Sequence, residues 1–175
     1  ECLVVNDACD VLPAGETGHL WVRGPNVFQG YWQNEEKTAE SFTPDGYFKT
    51  GDLAVIDDEG YISIVGRSKD LIITGGLNVY PKEIELVLDA IDGVMESAVI
   101  GLPHPDFGES VCAVIVPLAE VDLTAEFIFD QIKPRLANFK TPKKIFFLRN
   151  LPRNTMGKVQ KNQLRAQFSD AAHNP

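Results

Sequence analysis

The feature that most constrains the fold is a change of hydrophobic pattern at Gly66. Before it, short apolar runs alternate with turn residues. Cys2 to Val5 and Gly18 to Arg23 read as strands, separated by turns at Asn6-Asp7 and Pro13-Ala14-Gly15. Leu53 to Ile56 and Tyr61 to Val65 flank Asp57-Asp58-Glu59-Gly60, a hairpin turn. Only the polar stretch Asn34 to Ser41 suggests a short helix there. After Gly66 strands and helices mix. Leu71 to Thr74 reads as a strand ending at Gly75-Gly76, and Pro81 fits the first turn of a helix with Ile84, Val87, Leu88 and Ile91 at helical spacing. Ser97 to Leu102, Val111 to Pro117 and Ile145 to Leu148 are predicted strands. Thr124 is predicted to cap a helix through Leu136 that Pro134 kinks or shortens, and Val159 to Phe168 forms a final amphipathic helix before a frayed tail, Asp170 to Pro175. The expected class is α+β. A strand-rich segment, a partial β-barrel, covers 1–66, and 67–70 joins it to a small domain, 71–175, whose short mixed sheet is flanked by three helices.

Composition bounds the class further. The 175 residues, 44% apolar and 23% charged, suffice for one ordinary domain with a core or for two small ones. The longest apolar run, Val111 to Ala119, is far short of the roughly 20 residues that span a bilayer, so no membrane partner is expected. The chain opens on Glu1 with no basic-then-apolar leader, and is expected to be a segment of a longer polypeptide. Cys2, Cys9 and Cys112 make no CxxC pair and read as reduced thiols of a cytoplasmic protein. The net charge of −9 argues against a general nucleic-acid binder. Its distribution is uneven. Gln131 to Phe168 holds ten Lys or Arg and no Asp or Glu, which reads either as a solvated face or as a site for a polyanionic small molecule.

Three motifs carry chemistry. In Tyr47-Phe48-Lys49-Thr50-Gly51-Asp52-Leu53 a carboxylate stands at the head of a strand, where its two oxygens could accept from a vicinal diol; the plain reading is a turn Asp. In Gly66-Arg67-Ser68-Lys69-Asp70-Leu71-Ile72-Ile73-Thr74-Gly75-Gly76 a charged junction leads through a buried strand to paired glycines. These permit positive φ and close approach of a ligand to the backbone. A tight turn explains the glycines and leaves Arg67 and Lys69 unexplained. In Leu151-Pro152-Arg153-Asn154-Thr155-Met156-Gly157-Lys158-Val159 the Gly-Lys pair is no phosphate loop, because Pro152 and Val159 stand where that motif needs Gly and Ser or Thr. Lys158 remains as a lysine on a turn within the acid-free stretch.

In this order the three motifs resemble the C-terminal part of the adenylate-forming enzymes, the superfamily of acyl-CoA synthetases, peptide-synthetase adenylation domains and luciferases. Gly15-Glu16-Thr17-Gly18 with Gly30-Tyr31-Trp32 resembles a further signature, so the resemblance covers residues 1 to about 168. Gly-Gly-Leu-Asn-Val-Tyr-Pro-Lys-Glu-Ile-Glu is similar to acid–CoA ligases, and Leu151 to Asn162 to bacterial malonyl-CoA synthetases. The resemblance implies a ligase that joins a carboxylic acid to ATP, releases pyrophosphate, and passes the acyl group from AMP to CoA. It implies that Asp52 holds the ribose hydroxyls, that Arg67 assists, and that Lys158 is the adenylation lysine, a compact cation between two anions. Lys69 matches the family's hinge, so 67–70 would be the pivot of a mobile domain. Gly75 and Gly76 would line the tunnel for the pantetheine arm of CoA. Phe139, Lys140 and Lys143 resemble contacts to its nucleotide, and Phe107 is placed to stack on its adenine, although relatives often carry Trp near there.

The same resemblance implies what this stretch lacks. The phosphate loop, the glutamate linked to Mg²⁺, the adenine pocket and the acid pocket would lie upstream, so no metal ligands are expected here and the isolated chain is not expected to complete adenylation. Exposed Lys158 would also be a target for acetylation, which removes its charge. The alternatives are a medium-chain or aryl acid–CoA ligase, a peptide-synthetase adenylation domain, disfavoured because no carrier-protein serine motif follows, and a non-catalytic module whose basic segment docks an acidic partner.

Overall fold

A computed structural model describes residues 1–169, so the predicted frayed tail from Asp170 to Pro175 lies outside the described residues. Two stretches, Glu1–Lys69 and Asp70 onward, form separate units, each with its own core.

In the first unit, β1 (Cys2–Val5), β2 (Thr17–Val22), β3 (Phe48–Ile56) and β4 (Ile62–Arg67) pair antiparallel in chain order, as an open sheet. Val4, Leu20 and Ala54 share one face and pack with Leu12, Val22 and Ile56. The β3–β4 connection is the expected Asp57–Gly60 turn. The Asp57 carboxylate accepts from the backbone N–H groups of Glu59 at 3.0 Å and Tyr61 at 2.8 Å, replacing ladder bonds that the turn interrupts. Helix α1 (Glu35–Ser41) starts where the Asn34 side chain accepts from the N–H of Lys37 at 2.9 Å, with Glu35 and Glu36 favourably placed at its positive end.

The second unit is built on a long hairpin, β7 (Val94–His104) and β8 (Gly108–Pro117). On the far side of β8 lie β5 (Ile72–Thr74), hydrogen-bonded to β6 (Leu77–Val79), and the parallel strand β9 (Lys144–Phe147), which makes the sheet mixed. Period-two alternation assigns the faces. Val99, Val111, Ala113 and Ile115 meet Ile84 and Leu88 of α2 (Pro81–Asp89) and Ile128 and Ile132 of α3 (Ala125–Ile132). Ala98, Ile100, Leu102, Cys112, Val114 and Val116 meet Leu151 and Leu164, the latter on α4 (Lys161–Phe168). The near-continuous apolar run of β8 thus marks a strand covered on both faces. Each fully buried Leu or Ile in these layers contributes about 2 kcal/mol relative to exposure.

Several elements differ from the sequence expectations: β3 begins at Phe48 rather than Leu53 and β7 at Val94 rather than Ser97, and three further differences have a local cause. Gly75-Gly76 leads into a strand, β6, before the helix begins; three residues with Asn78 in the middle are too short to show a period. Helix α3 stops at Ile132, four residues before Leu136 and two before Pro134: Lys133 keeps helical backbone angles, but Pro134 has no N–H to donate to the Asp130 carbonyl, so the ladder ends there. Helix α4 begins at Lys161 rather than Val159, because Val159 is spent on an isolated bridge to Arg153.

Candidate functional site

Asp52 lies within β3 rather than at its head, on a bulged stretch of strand. Opposite it on β2 the register passes from His19–Leu53 to Trp21–Lys49, so β3 carries extra residues there. Gly51 takes φ +76°, Thr50 Oγ1 donates to the Leu20 carbonyl at 2.8 Å, and the Asp52 N–H donates to Thr50 Oγ1 at 3.0 Å. Such bulges re-aim side chains. The partner strand places Arg67 directly across, its Nε 2.8 Å from Asp52 Oδ1 and its Nη1 donating to the Thr50 carbonyl at 3.2 Å. Asp52 and Arg67 therefore form one unit, with the carboxylate one-fifth exposed and available to hydroxyl donors. The start of this strand is anchored by the Tyr47 hydroxyl, which donates to Glu1 Oε2 at 2.7 Å and is held above the usual phenol range by that bond.

The predicted junction is short. Ser68–Asp70 forms a single 3-10 turn, with Lys69 exposed at its centre and last in the first unit. Asp70, the next residue, accepts from Arg165 of α4 at 3.0 Å.

Gly75 and Gly76 form the two-residue turn of the β5–β6 hairpin, with φ +57° and +78°. Positive φ at both central positions is what a tight hairpin of this twist demands, and glycine adopts it without strain. The Gly75 N–H donates to the Phe107 carbonyl at 2.9 Å, so the glycine turn meets the tip of the β7–β8 hairpin. There Phe107 is half exposed, its ring 4.9 Å from that of His104, whose Nδ1 accepts from the Asp106 N–H. Gly75, Gly76 and Phe107 are thus brought together.

Of the basic residues predicted beside them, Lys143 donates its N–H to the carbonyl of Val111 on β8 at 2.8 Å, and its Nζ to the Asn138 carbonyl at 3.2 Å. Lys140 is matched by Glu83 of α2, with both carboxylate oxygens within 2.8 Å of Nζ, which also lies 5.7 Å from the centre of the Phe139 ring. Sequence reasoning missed Glu83: the partners are 57 residues apart and no local pattern connects them.

Lys158 stands on a turn of unusual definition. Asn154 Oδ1 accepts from the N–H groups of Met156 at 3.0 Å and Lys158 at 2.9 Å, and Gly157 takes φ +78°. Arg153 Nη1 donates to the Gly157 carbonyl at 2.7 Å, while its other terminal nitrogen pairs with Glu96 on β7. The Lys158 side chain is exposed and makes no ion pair among the described residues. Glu96 is near the start of β7 and His104 at its end, about 26 Å apart at 3.3 Å per residue. The lysine turn and the glycine turn therefore occupy opposite ends of one sheet.

Other chemistry is limited. The buried Cys112 thiol is pushed up to about 11 by desolvation, which leaves it protonated and unreactive at neutral pH. Among the described residues no three His, Cys, Asp or Glu side chains gather as a metal site, and no helix is long and apolar enough to cross a membrane.

Comparison with known proteins adds the family. Residues 83–158 match the AMP-binding enzyme C-terminal domain. An octahydroindenyl-propanoyl:CoA ligase of Rhodococcus jostii is 46% identical over 153 residues, 87% of this chain and 30% of that protein. Indoleacetate–CoA ligase of Aromatoleum aromaticum is 43% identical over 163 residues, 93% of this chain and 32% of that one. The crystal structure of ATP-bound MatB from Rhodopseudomonas palustris superposes with a TM-score of 0.92 at 51% identity, over 98% of this chain and 34% of MatB. The chain spans about a third of the length of these relatives. Motifs, fold and relatives agree: the second unit carries the AMP-binding enzyme C-terminal domain, and the chain is similar throughout to the C-terminal region of adenylate-forming acid–CoA ligases.

Proposed function

We propose that the chain is the hinge and mobile C-terminal domain of an ATP-dependent acid–CoA ligase of the malonyl-CoA synthetase type. In the first half-reaction an oxygen of the substrate carboxylate attacks the α-phosphorus of ATP and pyrophosphate leaves. Lys158 supplies its ammonium between the two anions, a contact worth ~3 kcal/mol in the transition state if it compares with an oxyanion donor. Asp52, aimed by the bulge and oriented by Arg67, receives the ribose hydroxyls. In the second half-reaction the CoA sulfur attacks the acyl carbonyl and AMP departs. Gly75 and Gly76 line the path of the pantetheine arm, Phe107 and Phe139 offer faces to the adenine, and Lys143 offers charge to the phosphates. Lys140, already matched by Glu83, would have to exchange partners to join them.

One observation carries this reading: the lysine turn and the glycine turn stand at opposite ends of one packed sheet, so a single reaction centre can meet both only if the domain turns between steps. Lys69, exposed at the junction of the two units, is the proposed pivot. ATP and CoA are substrates. Mg²⁺ would accompany ATP on ligands outside this chain. Malonate is favoured as the acid by the likeness of Leu151 to Asn162 to malonyl-CoA synthetases and by the MatB match. Unpaired Cys2 and Cys9 on the surface suit the reducing cytoplasm as location.

The test is Lys158→Ala in the full-length enzyme. Pyrophosphate release with acid and ATP should fall at least ~100-fold, while thioester formation from supplied acyl-AMP and CoA persists. Unchanged pyrophosphate release would remove Lys158 from the reaction and favour a binding module. Assaying the wild-type enzyme on malonate against medium-chain and aryl acids tests the substrate; a preference for the latter would end the malonate assignment.

A further inference from the structure

We infer that Arg153 is a positioning residue for Lys158, and that Glu96 on β7 is its anchor; the inference rests on the adenylation role proposed for Lys158. The peptide unit joining Gly157 to Lys158 is pinned at both ends. Its carbonyl accepts from Arg153 Nη1 at 2.7 Å, and its N–H donates to Asn154 Oδ1 at 2.9 Å. Backbone bonds from the Gly157 N–H to the Asn154 carbonyl at 2.9 Å and from the Asn154 N–H to the Lys158 carbonyl at 3.0 Å close the turn, and Gly157, at φ +78°, is the position in it where a peptide plane turns most easily. Rotating that one peptide plane swings the root of the lysine side chain. Arg153 opposes this because its guanidinium is itself fixed. Its second terminal nitrogen pairs with Glu96, whose side chain is only 20% exposed and which lies in the ladder opposite Val116.

The clamp is therefore a rigid chain of contacts, from a packed strand through a planar fork to the peptide bearing the lysine. A planar guanidinium can hold two acceptors in fixed directions at once, whereas an ammonium cannot. The Lys158 side chain, exposed and without an ion pair among the described residues, then starts from a defined backbone. The role of Arg153 is orientation, and it touches neither reactant.

In the full-length enzyme, Arg153→Gln and Glu96→Ala are expected to lower kcat for pyrophosphate release about 10- to 100-fold, as misplacement of a reacting group by an ångström does, with KM for ATP within about twofold. Thioester formation from supplied acyl-AMP should stay near the wild-type rate, which a general folding defect would not allow. Glu96→Gln keeps an acceptor for the arginine and should recover most of the lost rate. The double variant should be no slower than Arg153→Gln alone, because both substitutions break one clamp. Lys158→Ala is measured alongside. If it is inactive in adenylation while Arg153→Gln is not impaired, or if the two clamp substitutions multiply, the clamp is refuted and the lysine's role stands. If Lys158→Ala adenylates normally, both ideas fall.

Discussion

Lysines in this chain differ in what already holds them. Lys161 lies 2.6 Å from Glu85, whose Oε1 also accepts from the Val99 N–H, and both side chains are largely buried, so this cation is committed to the fold. Lys140 is committed to Glu83. Lys158 has a fixed backbone and an uncommitted head, the combination a delivered cation requires. Cys112 is the opposite case, a group whose chemistry burial suppresses. Its folded value, raised from 9.0 to about 11, means that the fold favours the neutral thiol. That contribution is fully present below pH 9 and is lost as pH rises through about 11. Urea midpoints of the wild type should therefore decline more steeply over that alkaline range than those of Cys112→Val. Under native conditions at neutral pH a thiol reagent should modify Cys2 and Cys9 and reach Cys112 only after unfolding; rapid native labelling of Cys112 would contradict the packing of β8.

At the scale of elements, the β5–β6 turn separates conformational from steric demands. A side chain at Gly76 would begin in open space, so substitution there costs backbone strain alone. Valine at φ +78° should destabilise by about 1–2 kcal/mol, and asparagine, which tolerates that region, by much less. Gly76→Asn in the full-length enzyme should thus keep its unfolding midpoint near the wild type. If the turn borders the pantetheine path, that same variant should still lose thioester formation, about tenfold more than it loses adenylation, as expected for a displaced reactant. Equal rates for both steps would leave Gly76 a turn residue only. This pair of glycines also marks how far the sequence was legible. Strand alternation, the Asp57 turn and the Pro134 stop could be read because each is local. Strand β6 could not, being three residues long, and neither could the bulge that aims Asp52, since a bulge exists only relative to the partner strand. Lys158 was singled out by resemblance to a family, because its spacing alone matches no phosphate-binding pattern. Its anchor Glu96, 57 residues from Arg153, left no trace in either.

For the molecule as a whole, the decisive feature is how little chain joins the two units. Arg67 is tied by Asp52 to the first sheet, and Asp70 is tied by Arg165 to the last helix of the second unit. Between these anchors only Ser68 and Lys69 remain, within one 3-10 turn. Any reorientation of one unit must therefore be absorbed by a handful of dihedral angles, those of Ser68 and Lys69 above all. Proline at Lys69 tests this directly, because it fixes φ near −65° and restricts the residue before it. In the full-length enzyme Lys69→Pro should lower the overall turnover at least ~10-fold while one half-reaction, assayed alone, stays within about threefold of the wild type. The other half-reaction should account for the loss. The asymmetry is the essential readout: a pivot held in one setting stops the step that needs the other setting, whereas a damaged fold slows both. If both half-reactions and the overall rate survive the proline, movement about Lys69 is not required, and the opposite placement of the lysine and glycine turns needs another explanation.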